Sequence, residues 1–304
     1  MKHVVSVSLG SSKRDTDQVV SILGEEVHLE RRGTQGDFAA AERLIGELDG
    51  KVDAIGLGGI DLFLPVGSRR YYFRDARRLA AAAKRTPVVC GAGLKNSLER
   101  AMVRSLAERM PWGDRKVLMV SALDRFGMAE ELAGLGARVL FGDFIFSLGL
   151  PIPLYRLGTL HALATVLLPV FVKLPFRWLY PVGSSQDTAA TTERFARYYR
   201  WADVIAGDWH YIRSYAPGDM SGKVVLTNTT TPGDVSFLKE RGVDTLITTT
   251  PRFGGRSVGT NLLEAAFVAI AGEAGELPAA RYRDMIERAG LEPTVLELRD
   301  GPPL

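Results

Sequence analysis

An α/β fold built on mostly parallel, doubly wound (Rossmann-like) sheets is predicted by three observations. Short apolar runs alternate with longer amphipathic runs along most of the chain. The apolar runs are too short for helices and end in Gly, Ser, Thr, Asn or Asp, as buried parallel strands do. The alternation stops once, between Phe144 and Gln186, where Pro, Leu and aromatic residues dominate. That break predicts two lobes: a Rossmann-like domain over 1–143, an apolar helical insertion or linker over 144–186, and a second α/β lobe over 187–304.

The elements follow in order. His3–Leu9 reads as a strand, Thr16–Leu23 as a helix and Glu26–Arg31 as a strand. Asp37 is placed to cap a helix running through Leu48. Val52–Leu57 is a third strand, and Leu62–Val66 pairs with Tyr71–Phe73 as a hairpin across Gly67-Ser68-Arg69-Arg70. Asp75 caps a helix through Lys84. Pro87–Cys90, a glycine turn, the amphipathic run Leu98–Met110 and Lys116–Ser121 compose one βαβ unit. A helix over Met128–Leu135 leads to a strand over Arg138–Phe141.

After the break the rhythm resumes. Thr191–Tyr199 is helical, and Asp203–Ala206, Val224–Thr227 and Thr245–Thr248 are strands. A helix over Gly233–Arg241 lies between the last two. Helices over Asn261–Ala271 and Ala279–Ala289 precede a closing strand over Thr294–Leu298.

Composition narrows the function classes. The 304 residues, 46% hydrophobic, suffice for a large core. The 38 basic residues interleave with 35 acidic ones, and the net charge of +3 gives no reason to expect a nucleic-acid partner. A single cysteine, Cys90, excludes an internal disulfide and a Cys-based zinc site; at the end of an apolar strand it reads as a buried structural thiol, and no metal centre is expected. No apolar leader follows Lys2, so a cytoplasmic location is expected. The apolar stretch Leu157–Tyr180 is interrupted by Pro169, Lys173, Pro175 and Arg177 and reads as a buried or capping helix, with a membrane-surface contact as the alternative.

The chemistry concentrates where strands hand over to helices. Gly91, Gly93 and Asn96 stand where a dinucleotide fingerprint has three glycines, and Lys95 lies between them. Asp124 and Arg125 follow the next strand, where a group on the adenosine ribose is expected. The other strand ends are also polar: Ser11-Ser12-Lys13, Asp61, Asp208-Trp209-His210, Asn228, Thr250 and Asn261. Lys13 and Asp61 are the leading proton-transfer pair, with Lys95 and Asp208 as further candidates. Ser11, Ser12, Asn228, Thr250 and Asn261 are the candidate substrate contacts.

Four stretches together resemble bacterial proteins carried under the name quinate (or shikimate) 5-dehydrogenase. They are Val4–Ser12, Leu48–Asp61, Gly93–Arg100 and Gly259–Ala265. The resemblance implies an NAD(P)-dependent oxidoreductase acting on a hydroxylated cyclic carboxylic acid, with NAD or NADP on the Gly91 loop. The alternatives are a transferase or lyase with a nucleotide or phosphorylated substrate, and a non-catalytic ligand-binding or membrane-associated protein. A small-molecule substrate is the expected partner, and the oligomeric state is left open.

Overall fold

A computed structural model describes residues 1–175, 195–250, 252–253 and 256–299. It is a mixed α/β protein with mostly parallel sheets in two units. The first takes the described residues of Met1–Leu98, Leu167–Asp187 and Phe253–Leu291. The second takes those of Glu99–Val166, Thr188–Arg252 and Glu292–Leu304. Each unit uses three segments of chain.

The first unit holds a five-stranded sheet. Its strands are β1 (Lys2–Ser8), β2 (Thr16–Ile22), β3 (Glu25–Gly33), β4 (Ala54–Gly58) and β7 (Val88–Val89), in the order β2-β3-β1-β4-β7. All neighbours are parallel except β2, which runs antiparallel to β3 at one edge. β2 corrects the helix expected over Thr16–Leu23. Its residues alternate between half-buried and exposed, the period of a strand with one solvated face. The hairpin is present as β5 (Phe63–Val66) and β6 (Arg69–Tyr72).

Helices α1 (Phe38–Leu48) and α2 (Arg74–Ala80) belong to the same unit. Asp37 caps α1 as expected, its carboxylate accepting from the N–H groups of Ala39 and Ala40. Asp75 does not cap α2; the capping position is Phe73 and Asp75 lies in the first turn. The core gathers Val5, Leu29, Ile45, Ile55 and Leu57, all essentially inaccessible to solvent.

Helix α3 (Ala92–Ser105) leaves the first unit after Leu98. It therefore does not close the expected βαβ unit, because β7 and β8 (Lys116–Met119) lie in different sheets.

The second unit holds a six-stranded sheet of β8, β9 (Arg138–Phe141), β10 (Val204–Ala206), β11 (Val224–Thr227), β12 (Thr245–Thr248) and β15 (Thr294–Glu297). The order is β15-β12-β11-β10-β8-β9, parallel apart from the antiparallel edge strand β15. The short pair β13 (Arg252–Phe253) and β14 (Arg256–Ser257) lies outside it.

Helices α4 (Phe126–Gly134), α5 (Asp143–Phe146), α6 (Leu157–Phe171), α7 (Ala196–Trp201), α8 (Trp209–Tyr215) and α9 (Pro232–Glu240) are threaded through this part of the chain. α10 (Thr260–Ala271) and α11 (Ala279–Arg288) return to the first unit. The second core joins Leu118, Ile205 and Val225 of the sheet to Phe146, Tyr199 and Trp209. The helix expected over Thr191–Tyr199 is seen as α7; residues 191–194 lie outside the described ones, as do residues 176–180 of the expected apolar helix.

Candidate functional site

In the second sheet β8, β9, β10, β11 and β12 run in the spatial order 2-1-3-4-5, so the strand order reverses between β8 and β10. Ligands of open α/β sheets gather outside the carboxyl ends of the strands at such a reversal. The residues that follow β8 and β10 are Ser121 to Arg125 and Gly207-Asp208. Two of the expected site residues, Asp124 and Arg125, therefore reach the reversal point with Asp208, and Asn228 joins them from the end of β11.

Asp208 is the hub. Its Oδ1 caps α8 by accepting from the His210 N–H at 2.9 Å. Its Oδ2 accepts from Arg125 Nη2 at 3.1 Å and from Asn228 Nδ2 at 3.0 Å. The Ser121 hydroxyl accepts from the Asp208 N–H at 3.1 Å. The Asn228 carbonyl oxygen accepts from the Trp209 N–H at 3.1 Å, which fixes the orientation of the amide. Arg125 also pairs with Glu99 and lies 3.7 Å from Asp124. The side chains of Arg125 and Glu99 are each 3% exposed, whereas that of Asp208 is 18% exposed. A buried cation thus holds in place a carboxylate that reaches solvent.

The guanidinium of Arg125 pairs with three carboxylates, those of Glu99, Asp124 and Asp208. Burial opposes the charge on Arg125, but those three carboxylates outweigh it and push its pKa up. Burial likewise opposes the charge on Asp208, yet His210 and Arg125 hold it below the ordinary carboxylate value. Nearby Asp143 accepts from the Leu123 N–H at 2.9 Å, and burial raises its pKa to about 6. Beside this cluster the Thr229 hydroxyl donates to that of Thr250 at 3.3 Å, and the buried Thr230 hydroxyl has no hydrogen-bond partner among the described residues.

The first unit disposes of the glycine loop differently. Gly91, at φ +91°, donates its N–H to Glu264 Oε2 at 2.5 Å, and Leu94 donates to Oε1 at 3.0 Å. The Tyr282 hydroxyl donates to the same Oε1 at 2.5 Å. Glu264, nearly inaccessible on α10, therefore occupies the start of α3 where a pyrophosphate is expected. Gly93 has a second neighbour of this kind. A side chain there would collide with the carboxylates of Glu276 and Glu264. Arg70 holds Glu276 by two hydrogen bonds of 2.7 and 3.0 Å. Gly93 makes room for carboxylates of the chain itself, and Gly91 for the backbone at the start of α10. Asn96 is half-buried on α3, and Asp124 and Arg125 belong to the ion cluster of the second unit.

The expected pair of Lys13 and Asp61 is not assembled. Lys13 is exposed, whereas Asp61 has the Nζ of Lys95 3.5 Å from both of its carboxylate oxygens. Ser11 caps the 3-10 turn Ser12–Arg14, and the Ser12 hydroxyl accepts from Gln35 at 2.7 Å. Asn261 donates to Ser6 Oγ at 2.7 Å, and its backbone lies against Gly56 and Gly91. Cys90 is buried, and burial pushes its thiol pKa up, in keeping with a structural thiol. Among the described residues no group of three or more His, Cys, Asp or Glu side chains is placed to hold a metal ion.

Glu99 and Glu264 were not among the expected site residues. Glu264 had a readable signal, as the single charge in the otherwise apolar and polar run Thr260–Ala271. Glu99 had none, since it sits among other charges on α3.

The family model described as Domain of unknown function (DUF8754) matches residues 93–298. That described as Domain of unknown function (DUF8753) matches residues 3–90. No curated protein matches the chain. Among solved structures, the chain is similar to a substrate-binding protein of a sugar ABC transport system from Bordetella parapertussis 12822. The identity is 12%, with 99% of this chain and 92% of that one covered, at a TM-score of 0.39. It is also similar to an ABC transporter solute binding protein from Bacillus halodurans C-125 with bound myo-inositol. There the identity is 11%, the coverage 98% and 95%, and the TM-score 0.37. A hetero-hexameric glutamate dehydrogenase from Thermus thermophilus matches at 12% identity, 95% and 73% coverage and a TM-score of 0.43. At such scores the likeness assigns no function.

The expectation of an NAD(P)-dependent oxidoreductase, and of an enzyme, is corrected. Within the chain, the loop that was to carry the cofactor has its first N–H groups bound to Glu264.

Proposed function

The chain belongs to the family described as Domain of unknown function (DUF8754), and we propose that it binds a polyhydroxylated small molecule, a sugar or cyclic polyol, without transforming it. The observation that carries this is the shared Asp208 carboxylate, held by Arg125 and Asn228 at the reversal point of the second sheet. We take that sheet as doubly wound and Rossmann-like, with its ligand at the carboxyl ends of β8, β10 and β11.

The chemistry suits vicinal hydroxyls. Each sugar hydroxyl is both donor and acceptor. A carboxylate accepts from one, while an amide or guanidinium donates to its neighbour. Asp208 supplies the acceptors and Asn228 supplies both functions. Buried Arg125 fixes Asp208 before the ligand arrives, which lowers the ordering cost of binding. Glucose, galactose and myo-inositol, named for some of the similar structures, fall in this class, although the Asp208 cluster and not that likeness carries the assignment.

Thermal unfolding in the presence of a panel of hexoses, inositols and quinate, with NAD⁺ and NADP⁺ alongside, tests the proposal. A binder at one hundred times its Kd stabilises the folded state by about 2.7 kcal/mol. Stabilisation by a polyol or sugar is the expected result. Stabilisation by a nucleotide alone would overturn it.

A further inference from the structure

We propose that the second unit docks on an anionic lipid surface through the loop that follows α5 and the outward face of α6. The expectation of a buried or capping apolar helix is only half met. On α6 only the stripe Leu160, Ala164 and Leu168 is buried. The opposite face carries exposed Ala162 and Val166, the latter 72% exposed. Val166 thus leaves apolar surface uncovered on a helix whose buried stripe is already packed.

The loop before it repeats the pattern. Leu148, Leu150, Ile152 and Tyr155 are 40%, 43%, 48% and 60% exposed within eight residues. Large apolar side chains exposed so close together mark an interaction surface. Tyr155 packs edge-on against Trp201 at 6.3 Å, so two amphipathic rings of the kind enriched at membrane interfaces stand together.

Charge selects the partner. Between Asp143 and Asp187 the sequence contains no acidic residue, while Arg156, Lys173 and Arg177 are basic. Arg156 follows Tyr155 directly and is exposed, and exposed Arg200 precedes Trp201. Apolar side chains beside exposed cations match an anionic bilayer, whose acyl region accepts the first and whose headgroups attract the second. The contact lies on the membrane and does not cross it, because no helix among the described residues is long and apolar enough to span one.

Sedimentation of the full chain with sucrose-loaded vesicles tests this inference. One set is phosphatidylcholine alone and the other contains about a third phosphatidylglycerol. The wild type should co-sediment with the anionic set and be released by high salt. Leu150→Ser combined with Ile152→Ser should lower partitioning at least about tenfold, and Arg156→Glu should do so selectively for anionic vesicles. Circular dichroism establishes that each variant is folded. The proposal is overturned if folded wild type stays in the supernatant, or if the double Ser variant sediments like the wild type. It is also overturned if sedimentation velocity shows a dimer that the double variant dissociates, which would assign the patch to a second copy of the chain.

Discussion

Glu264 and Gly91 stand on separate segments of chain, yet the Glu264 carboxylate accepts the Gly91 N–H at 2.5 Å. The same carboxylate takes the Leu94 N–H and the Tyr282 hydroxyl, so one side chain of α10 closes three buried donors. Glu264→Ala should leave all three unpaired. A loss of about 3 kcal/mol in unfolding free energy is expected, and Glu264→Gln should lose less, because its amide oxygen still accepts. Urea unfolding of both variants measures the difference; equal losses would show that acceptance by this oxygen is not what matters.

Glu276, beside Glu264 and held by Arg70, adds a pH dependence. Burial first, and the Glu264 charge second, raise its pKa from the ordinary 4.5 to about 7. The folded protein therefore keeps a proton that the unfolded chain has released between those values. The resulting stability is complete below pH 4.5 and is lost as the pH rises through about 7. Wild type should lose stability relative to Glu276→Gln across that window and run parallel to it above. Thermal unfolding from acid to neutral pH checks this; parallel profiles throughout would contradict it.

Gly56 is a packing glycine. A Cβ there would sit 2.7 Å from the Asn261 carbonyl oxygen, which is backbone and cannot swing aside. Gly56→Ala should force α10 away from β4 and cost about 1–3 kcal/mol. Gly134→Ala, with open space around it, is the control and should cost nothing measurable.

Arg125 is the cation common to Glu99, Asp124 and Asp208. Removing one partner of a buried ion pair costs about 3–5 kcal/mol because the other charge is left uncompensated. Arg125→Met should therefore destabilise the second unit by that amount, and the loss should shrink at acid pH as the carboxylates take up protons. Denaturant unfolding at neutral and acid pH reads both effects.

Much of the strand pattern is legible in the chain. Arg138–Phe141, Val224–Thr227 and Thr245–Thr248 are strands over the residues expected, because each is a buried apolar run closed by a turn. Thr16–Ile22 misleads, since Val19, Val20 and Ile22 mimic a helical face while the period is that of an edge strand. The partition of β7 and β8 between two sheets could not be read locally, because strand pairing is set by distant segments. For the same reason Asp124, Arg125, Asp208 and Asn228 were legible as strand-end residues but not as one hydrogen-bonded cluster. Gly91 and Gly93 showed close approach by an anionic group; only the fold reveals that the groups are Glu264 and Glu276.

Isothermal titration calorimetry of a sugar or cyclic polyol against wild type and Asp208→Asn tests the binding proposal most directly. Asn keeps the side-chain shape but withdraws the charge that Arg125 and Asn228 both engage. Hydrogen bonds to a charged group are worth about 1.5–3 kcal/mol each, so Kd should rise at least about tenfold while the folded state persists. Unchanged affinity in a folded Asp208→Asn variant, or no heat with any polyol in the wild type, would contradict the account.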